Sequence, residues 1–323
     1  MNPVLMTRGA HKVLASCGGA EADESILIIT DFSTEEFARP LVSAALNLDS
    51  EPISVSMEPR SRDGQEPPGV VARAMEEADL FVALVSKSIT HTRAVKNAVG
   101  RDSRGLMMTQ FAPEMLIEGG IEADFPSIAP ACNEMARAFQ EGSQVRLTTG
   151  DGACRLTASI EGRRGNALTG IVRPGEFALI PTVEANVSPV EGSAEGSVFV
   201  DGSIPYEGIG LLTSPIVAGV SSGYVSNLEG GSQADRLESL LETKEDKEVY
   251  NVAEIGVGMN PFCRLCGLML EDEGVYGSVH IGIGTSITLG GSVVASCHYD
   301  LITLRPTLEI DGKVVISEGD IIL

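Results

Sequence analysis

The change of texture at Gln144 constrains the fold of this chain more than any other feature of its sequence. Before it, short apolar runs alternate with helix-compatible segments. Ile26-Leu27-Ile28-Ile29 ends at Thr30-Asp31, and Ser33-Thr34-Glu35-Glu36 follows as a helix start. Residues 53–57 form a second strand, 70–77 have helical spacing, 79–85 form a buried third strand and 104–109 a fourth. Apolar strands separated by helices are joined in parallel, because a parallel pair needs a crossover long enough to hold a helix. Residues 1–142 are therefore expected to form an α/β domain, doubly wound around a mostly parallel sheet.

From Gln144 onward, polar and apolar residues alternate as in Val145-Arg146-Leu147-Thr148. Glycine is frequent, and Asp151-Gly152, Asp201-Gly202 and Asp311-Gly312 have the composition of hairpin turns. Residues 143–323 are expected to form a mostly antiparallel β (α+β) domain that binds metal. The exception is a charged amphipathic helix over 233–247, with Leu237, Leu240 and Leu241 on one side.

Composition excludes several functions. With 45 Asp plus Glu against 23 Lys plus Arg, the formal charge is −22, and the basic residues are scattered singly. A nucleic-acid partner needs a basic face to neutralise phosphate, so none is expected. No apolar run approaches the roughly 18–20 residues of a membrane span, and the first 30 residues lack the basic-then-apolar order of a secretory leader. A cytoplasmic protein without a membrane partner is expected. Cys17, Cys132, Cys154, Cys263, Cys266 and Cys297 are expected as reduced thiols. Cys263-Arg264-Leu265-Cys266 lacks a correctly spaced second pair and is better explained as core than as a zinc knuckle.

Only four histidines are available, His11, His91, His280 and His298. In His298-Tyr299-Asp300 the imidazole and the carboxylate are two residues apart, so on a strand they share a face and can bind one cation. The glycine-rich strand Gly277-Ser278-Val279-His280-Ile281-Gly282-Ile283-Gly284 offers a second imidazole. Glu254 and Glu184 each stand as a lone carboxylate in a run that is otherwise strand-like and apolar. Burying such a group costs several kcal/mol unless a partner compensates. Glu184, Glu254, His280, His298 and Asp300 are the candidate metal ligands, a mixed N/O set for one or two ions of Zn, Mn, Co or Fe. His91 follows the third strand of the α/β domain, where such folds place ligands. It is a candidate catalytic residue.

These segments resemble the aminopeptidase T group of thermophilic metallopeptidases over most of the chain. That family holds two metal ions with two glutamates, a strand histidine and a later His-x-Asp, and the matching positions here are Glu184, Glu254, His280, His298 and Asp300. Its tyrosine after the first histidine is absent, Ile287 lying in that region. The chain also resembles 2,5-dihydroxypyridine 5,6-dioxygenase, in length, in Ser193-Ala194-Glu195-Gly196, in the run from Tyr250 to Pro261 and in His91. That resemblance implies an iron held by two histidines and an aspartate, the first histidine falling where Glu254 stands, and it supplies no counterpart of Glu184 or His280.

The ligand set makes hydrolysis the first expectation: an amide or peptide bond in a small-molecule or short-peptide substrate, cleaved by metal-activated water. Glu184 would bridge ions or take the water's proton, and His91 would serve the substrate. The alternatives are a non-haem iron ring-cleaving dioxygenase and a non-catalytic interaction protein. A homo-oligomer is implied by the resemblance.

Overall fold

Aliphatic runs form the central strands of the first sheet of the computed structural model, which describes residues 3–206 and 208–323. Its strands are parallel, in the order Glu51–Met57, Ser25–Asp31, Leu80–Val85, Arg104–Thr109, Phe177–Leu179. Every residue of Leu80–Val85 is buried, as expected for a strand covered on both faces. Leu27, Ile29, Phe81, Ala83, Val85 and Met107 share a core with Val71 and Met75 of helix Gly69–Glu77 and with Val95 and Ala98 of helix Arg93–Val99. The expected helix after Ser33 begins as a 3-10 turn, Glu35–Phe37, and continues as the α-helix Ala38–Asn47.

The chain leaves Ser25–Asp31 for one neighbouring strand and returns to Leu80–Val85 on the other side. At that reversal Asp31 Oδ2 accepts hydrogen bonds from Ser86 N at 2.7 Å and Ser86 Oγ at 2.6 Å. Burial alone would raise the Asp31 carboxyl, but hydrogen bonds from Ser33 and Ser86 hold it below its ordinary value. Asp31 therefore clamps two strand ends.

By its contacts the chain divides into Met1–Ser127 with Leu168–Thr182, and Ile128–Ala167 with Val183–Leu323. This replaces the single boundary expected after residue 142. The reason is local: Phe177–Leu179 pairs with Arg104–Thr109 and so returns a later stretch to the parallel sheet.

The second unit carries an eight-stranded sheet ordered Tyr224–Glu229, Ile216–Ser221, Glu195–Val200, Cys154–Ser159, Gln144–Thr149, Thr307–Ile310, Lys313–Ser317, Asp320–Ile321, all antiparallel. Two expected turn pairs are hairpins with both residues left-handed, Asp151-Gly152 at φ 52° and 93° and Asp311-Gly312 at 50° and 80°. Asp201-Gly202 is different. Asp201 Oδ1 accepts from Leu304 N at 2.8 Å and Gly202 N donates to Ile302 O at 3.0 Å, so this segment is tied along another strand instead of closing a hairpin.

A second sheet of this unit runs His298–Thr303, Val279–Gly284, Val252–Gly258, Glu184–Val187, Gly165–Leu168. The expected amphipathic helix is shorter than 233–247. It spans Ser232–Glu242 with Leu237 and Leu241 buried, and Lys247–Tyr250 is a separate 3-10 turn. Among the described residues no helix is long and apolar enough to cross a membrane.

Candidate metal centre

Strand register gathers the five expected ligands on one face of the five-stranded sheet. Glu254 pairs with Gly282 and Gly282 with Asp300, so these three form one row. Asn186, Gly256 and His280 form the next row, and Glu184 lies opposite Gly258. His298 lies opposite Gly284. Because side chains alternate, Val257, Ile281, Ile283 and Leu301 point to the other face, all of them buried. The glycines make room for the imidazoles: a Cβ on Gly256 would fall 1.9 Å from His280 Nε2, and one on Gly282 would fall 2.6 Å from His298 Nε2.

Two clusters result, Glu184/Glu254/His280 and Glu254/His298/Asp300, each with its donor atoms within 4.8 Å of one another. Glu254 belongs to both. Its Oε1 lies 3.6 Å from His280 Nε2 and its Oε2 lies 3.0 Å from His298 Nε2. Glu184 Oε2 is 3.4 Å from His280 Nε2, and Asp300 Oδ1 is 3.3 Å from His298 Nε2. His298 Nδ1 lies 2.8 Å from the Thr285 carbonyl, which turns Nε2 toward the carboxylates.

The electrostatics are those of carboxylates that need positive charge. Burial alone would lower both imidazoles. The charges of Glu184 and Glu254 lift His280 to about 9, and Asp300 and Glu254 lift His298 well above its ordinary value. Burial pushes Glu184 up to about 7 against the pull of His280. Glu254 and Asp300 would also rise on burial, but the imidazoles hold both below the usual carboxylate range.

The residues present fit a divalent cation. Glu184 Oε2 and Asp300 Oδ1 are buried with no hydrogen-bond partner, an arrangement costing about 1–3 kcal/mol per atom unless something accepts those lone pairs. Imidazole nitrogen with carboxylate oxygen suits Fe, Mn, Co or Zn, in agreement with the expected choice of metals.

Three polar residues at the centre have no counterpart among the sequence candidates. Asn186 Nδ2 donates to Glu184 Oε1 at 2.9 Å, and its own Oδ1 accepts from Asn166 Nδ2 at 2.9 Å. The Tyr206 hydroxyl donates to Asp300 Oδ2 at 3.0 Å. Glu273, in the turn after Met269–Asp272, is buried, and burial together with the charges of Asp300 and Glu184 pushes its carboxyl well above the ordinary value. It is a hydrogen-bond partner of Asp300. Asn186 was recoverable from its two-residue spacing to Glu184. Tyr206 and Glu273 had no such pattern.

The other candidates are not members of the two clusters. His91 belongs to the first unit and is exposed in the turn before helix Arg93–Val99. None of the six cysteines joins a disulfide or a metal cluster among the described residues. Cys263 is buried as expected for a core residue, whereas Cys266 is exposed.

The family model for 2,5-dihydroxypyridine 5,6-dioxygenase matches residues 6–323. The chain belongs to that family. A curated 2,5-dihydroxypyridine 5,6-dioxygenase of Pseudomonas putida is 26% identical over 159 residues, which span 46% of this chain and 45% of that relative. The solved structure of the 2,5-dihydroxypyridine dioxygenase from Pseudomonas putida KT2440 superposes with a TM-score of 0.82 at 18% identity, covering 100% of this chain and 98% of that one. Wild-type AmpT from Thermus thermophilus superposes with a TM-score of 0.72 at 15% identity, covering 99% of each chain. At these identities the two structures show the fold. The family match places the chain among enzymes and favours the ring-cleaving alternative over the hydrolytic expectation drawn from the donor set.

Proposed function

We propose that this chain is a metal-dependent dioxygenase that opens a hydroxylated pyridine or related aromatic ring. The observation that carries the proposal is the family match over residues 6–323, a span that includes all five candidate ligands. Glu254, His298 and Asp300 would hold iron(II), with His280 and Glu184 completing the centre. The ion would supply the oxygen and substrate activation that ring cleavage needs. Glu184 Oε2 has no hydrogen-bond partner and its carboxyl is pushed up to about 7, so where the ion does not hold this oxygen it is suited to take a proton from a ring hydroxyl near neutral pH. His91 is proposed to serve the substrate rather than the ion, so His91→Ala should lower turnover and leave metal content unchanged.

Hydrolysis is the second reading, and one observation favours it: two sets of one imidazole and two carboxylates share Glu254, an arrangement that suits a pair of ions activating water. One experiment separates the readings. The Fe(II)-loaded chain is given 2,5-dihydroxypyridine in an oxygen electrode, and the Zn-, Mn- or Co-loaded chain is given short peptides and simple amides under nitrogen. Oxygen uptake coupled to loss of the ring absorbance, and absent under nitrogen, is expected. Amide cleavage without oxygen uptake would overturn the dioxygenase proposal. A chain that takes up no metal and turns over neither substrate class would support an interaction protein instead.

A further inference from the structure

We infer that Tyr206 is a positioning residue of the metal centre, holding one oxygen of Asp300 so that only the other is presented to the ion. The inference rests on the reading that a cation occupies the His298–Asp300 side. Asp300 Oδ2 accepts the Tyr206 hydroxyl at 3.0 Å, while Oδ1 lies 3.3 Å from His298 Nε2, buried and without a hydrogen-bond partner. A carboxylate can bind an ion through either or both oxygens. An O–H donor that occupies a lone pair of one oxygen biases the group toward binding through the other.

The tyrosine is fixed from several directions. Upstream, the segment is tied to the strand that carries Asp300, by Gly202 N donating to Ile302 O and by Asp201 Oδ1 accepting from Leu304 N. The close approach requires glycine, since a Cβ on Gly202 would fall 2.8 Å from Ile302 O. Tyr206 N donates to Ile204 O at 2.7 Å, and the ring lies against Tyr299 with centroids 4.8 Å apart. Across the centre Asn186 treats Glu184 in the same way, occupying Oε1 and leaving Oε2 without a hydrogen-bond partner. The two end carboxylates are thus each presented through a single oxygen, and for Asp300 the tyrosine hydroxyl contributes this beside the Glu273 carboxyl.

The test compares the full-length wild-type chain with Tyr206→Phe, which removes the hydroxyl and keeps the ring. Both are loaded with Co(II), and two quantities are read: affinity, by chelator competition, and the visible d–d absorption. Tyr206→Phe should weaken Co(II) binding about tenfold or more and shift the d–d bands as Asp300 turns to offer both oxygens, with the metal-free thermal midpoint lowered only as far as the loss of one buried hydrogen bond requires. Unchanged affinity and unchanged bands overturn the inference. A wild-type chain that takes no Co(II) overturns both the inference and the metal reading beneath it, whereas a loaded wild type indifferent to Tyr206→Phe overturns the inference alone. Should the variant fail to fold, the crystal structure of the Co(II)-loaded wild type decides. Oδ1 alone on the ion with Tyr206 on Oδ2 supports the inference, and both oxygens on the ion overturn it.

Discussion

Gly256 lies directly across the antiparallel ladder from His280, and a Cβ added to it would fall 1.9 Å from His280 Nε2. No flexible tail is available to absorb that overlap, so the imidazole or the strand must move. Gly256→Ala should therefore weaken metal binding by about 10–100-fold and lower metal-free stability by about 1–3 kcal/mol. Chelator competition and thermal unfolding measure the two effects. Full metal affinity in the alanine variant would show that the space beside His280 is not limiting.

Asn186→Leu removes the donor to Glu184 Oε1 and leaves both oxygens of a buried carboxylate without a hydrogen-bond partner. Burial already pushes Glu184 upward, and the Asn186 hydrogen bond opposes that push. Without it the carboxyl should hold its proton to higher pH and compete more strongly with a metal ion. The expected outcome is weaker Mn(II) affinity, with a larger loss at pH 6.5 than at pH 8. An equal loss at both pH values would assign Asn186 a purely geometric part.

The histidines set the pH dependence of the metal-free protein. His280 is lifted from 6.5 to about 9, because Glu184 and Glu254 outweigh burial. Below pH 6.5 the imidazolium is present in folded and unfolded chains alike, and its contribution to stability is complete. As pH rises through 9 the proton leaves and that contribution is lost. Glu184, raised to about 7, acts in the same sense at lower pH, because the fold favours its protonated form. Metal ligands must be deprotonated, so added ion recovers more stability as pH rises. The thermal midpoint of the metal-free chain should fall between pH 6.5 and 9, and the increase on adding Zn or Mn should grow over the same window. A flat profile, or an ion-induced increase that shrinks with pH, would contradict this account of the site.

Much of the centre was legible because its residues break a pattern. His298 and Asp300 share a strand face by spacing alone, and Glu184, Glu254 and His280 are isolated polar groups in runs otherwise apolar or glycine-rich. Residues whose place depends on long-range packing were not legible. Tyr206 reaches Asp300 across 94 positions of sequence, from a segment with no periodicity. Glu271-Asp272-Glu273 has the composition of a solvent-facing helical turn, yet all three are buried. Asp272 accepts from Cys266 N and from Ser203 Oγ, partners that no local pattern announces. The division of the chain was likewise hidden, because it turns on a three-residue strand, Phe177–Leu179, that pairs with one about 70 residues earlier.

Glu254→Gln tests whether the two clusters form one centre. Glu254 is the only residue common to both sets of donors, with one oxygen facing each histidine. The amide keeps the size of the side chain and one carbonyl oxygen, but it removes the charge and turns one oxygen acceptor into a donor. That donor must face His280 or His298, where two N–H groups would then oppose each other while the imidazoles stay protonated. Both histidines should therefore titrate at lower pH, since Glu254 contributes to the upward shift of each. Metal affinity should fall by more than the roughly 10–100-fold expected for losing an outer partner, and any second ion should be lost together with the first. Histidine titration by NMR and elemental analysis of the variant check the two halves of this prediction. If one ion is retained at full affinity and one histidine keeps its high pKa, the clusters are independent and Glu254 serves only one of them.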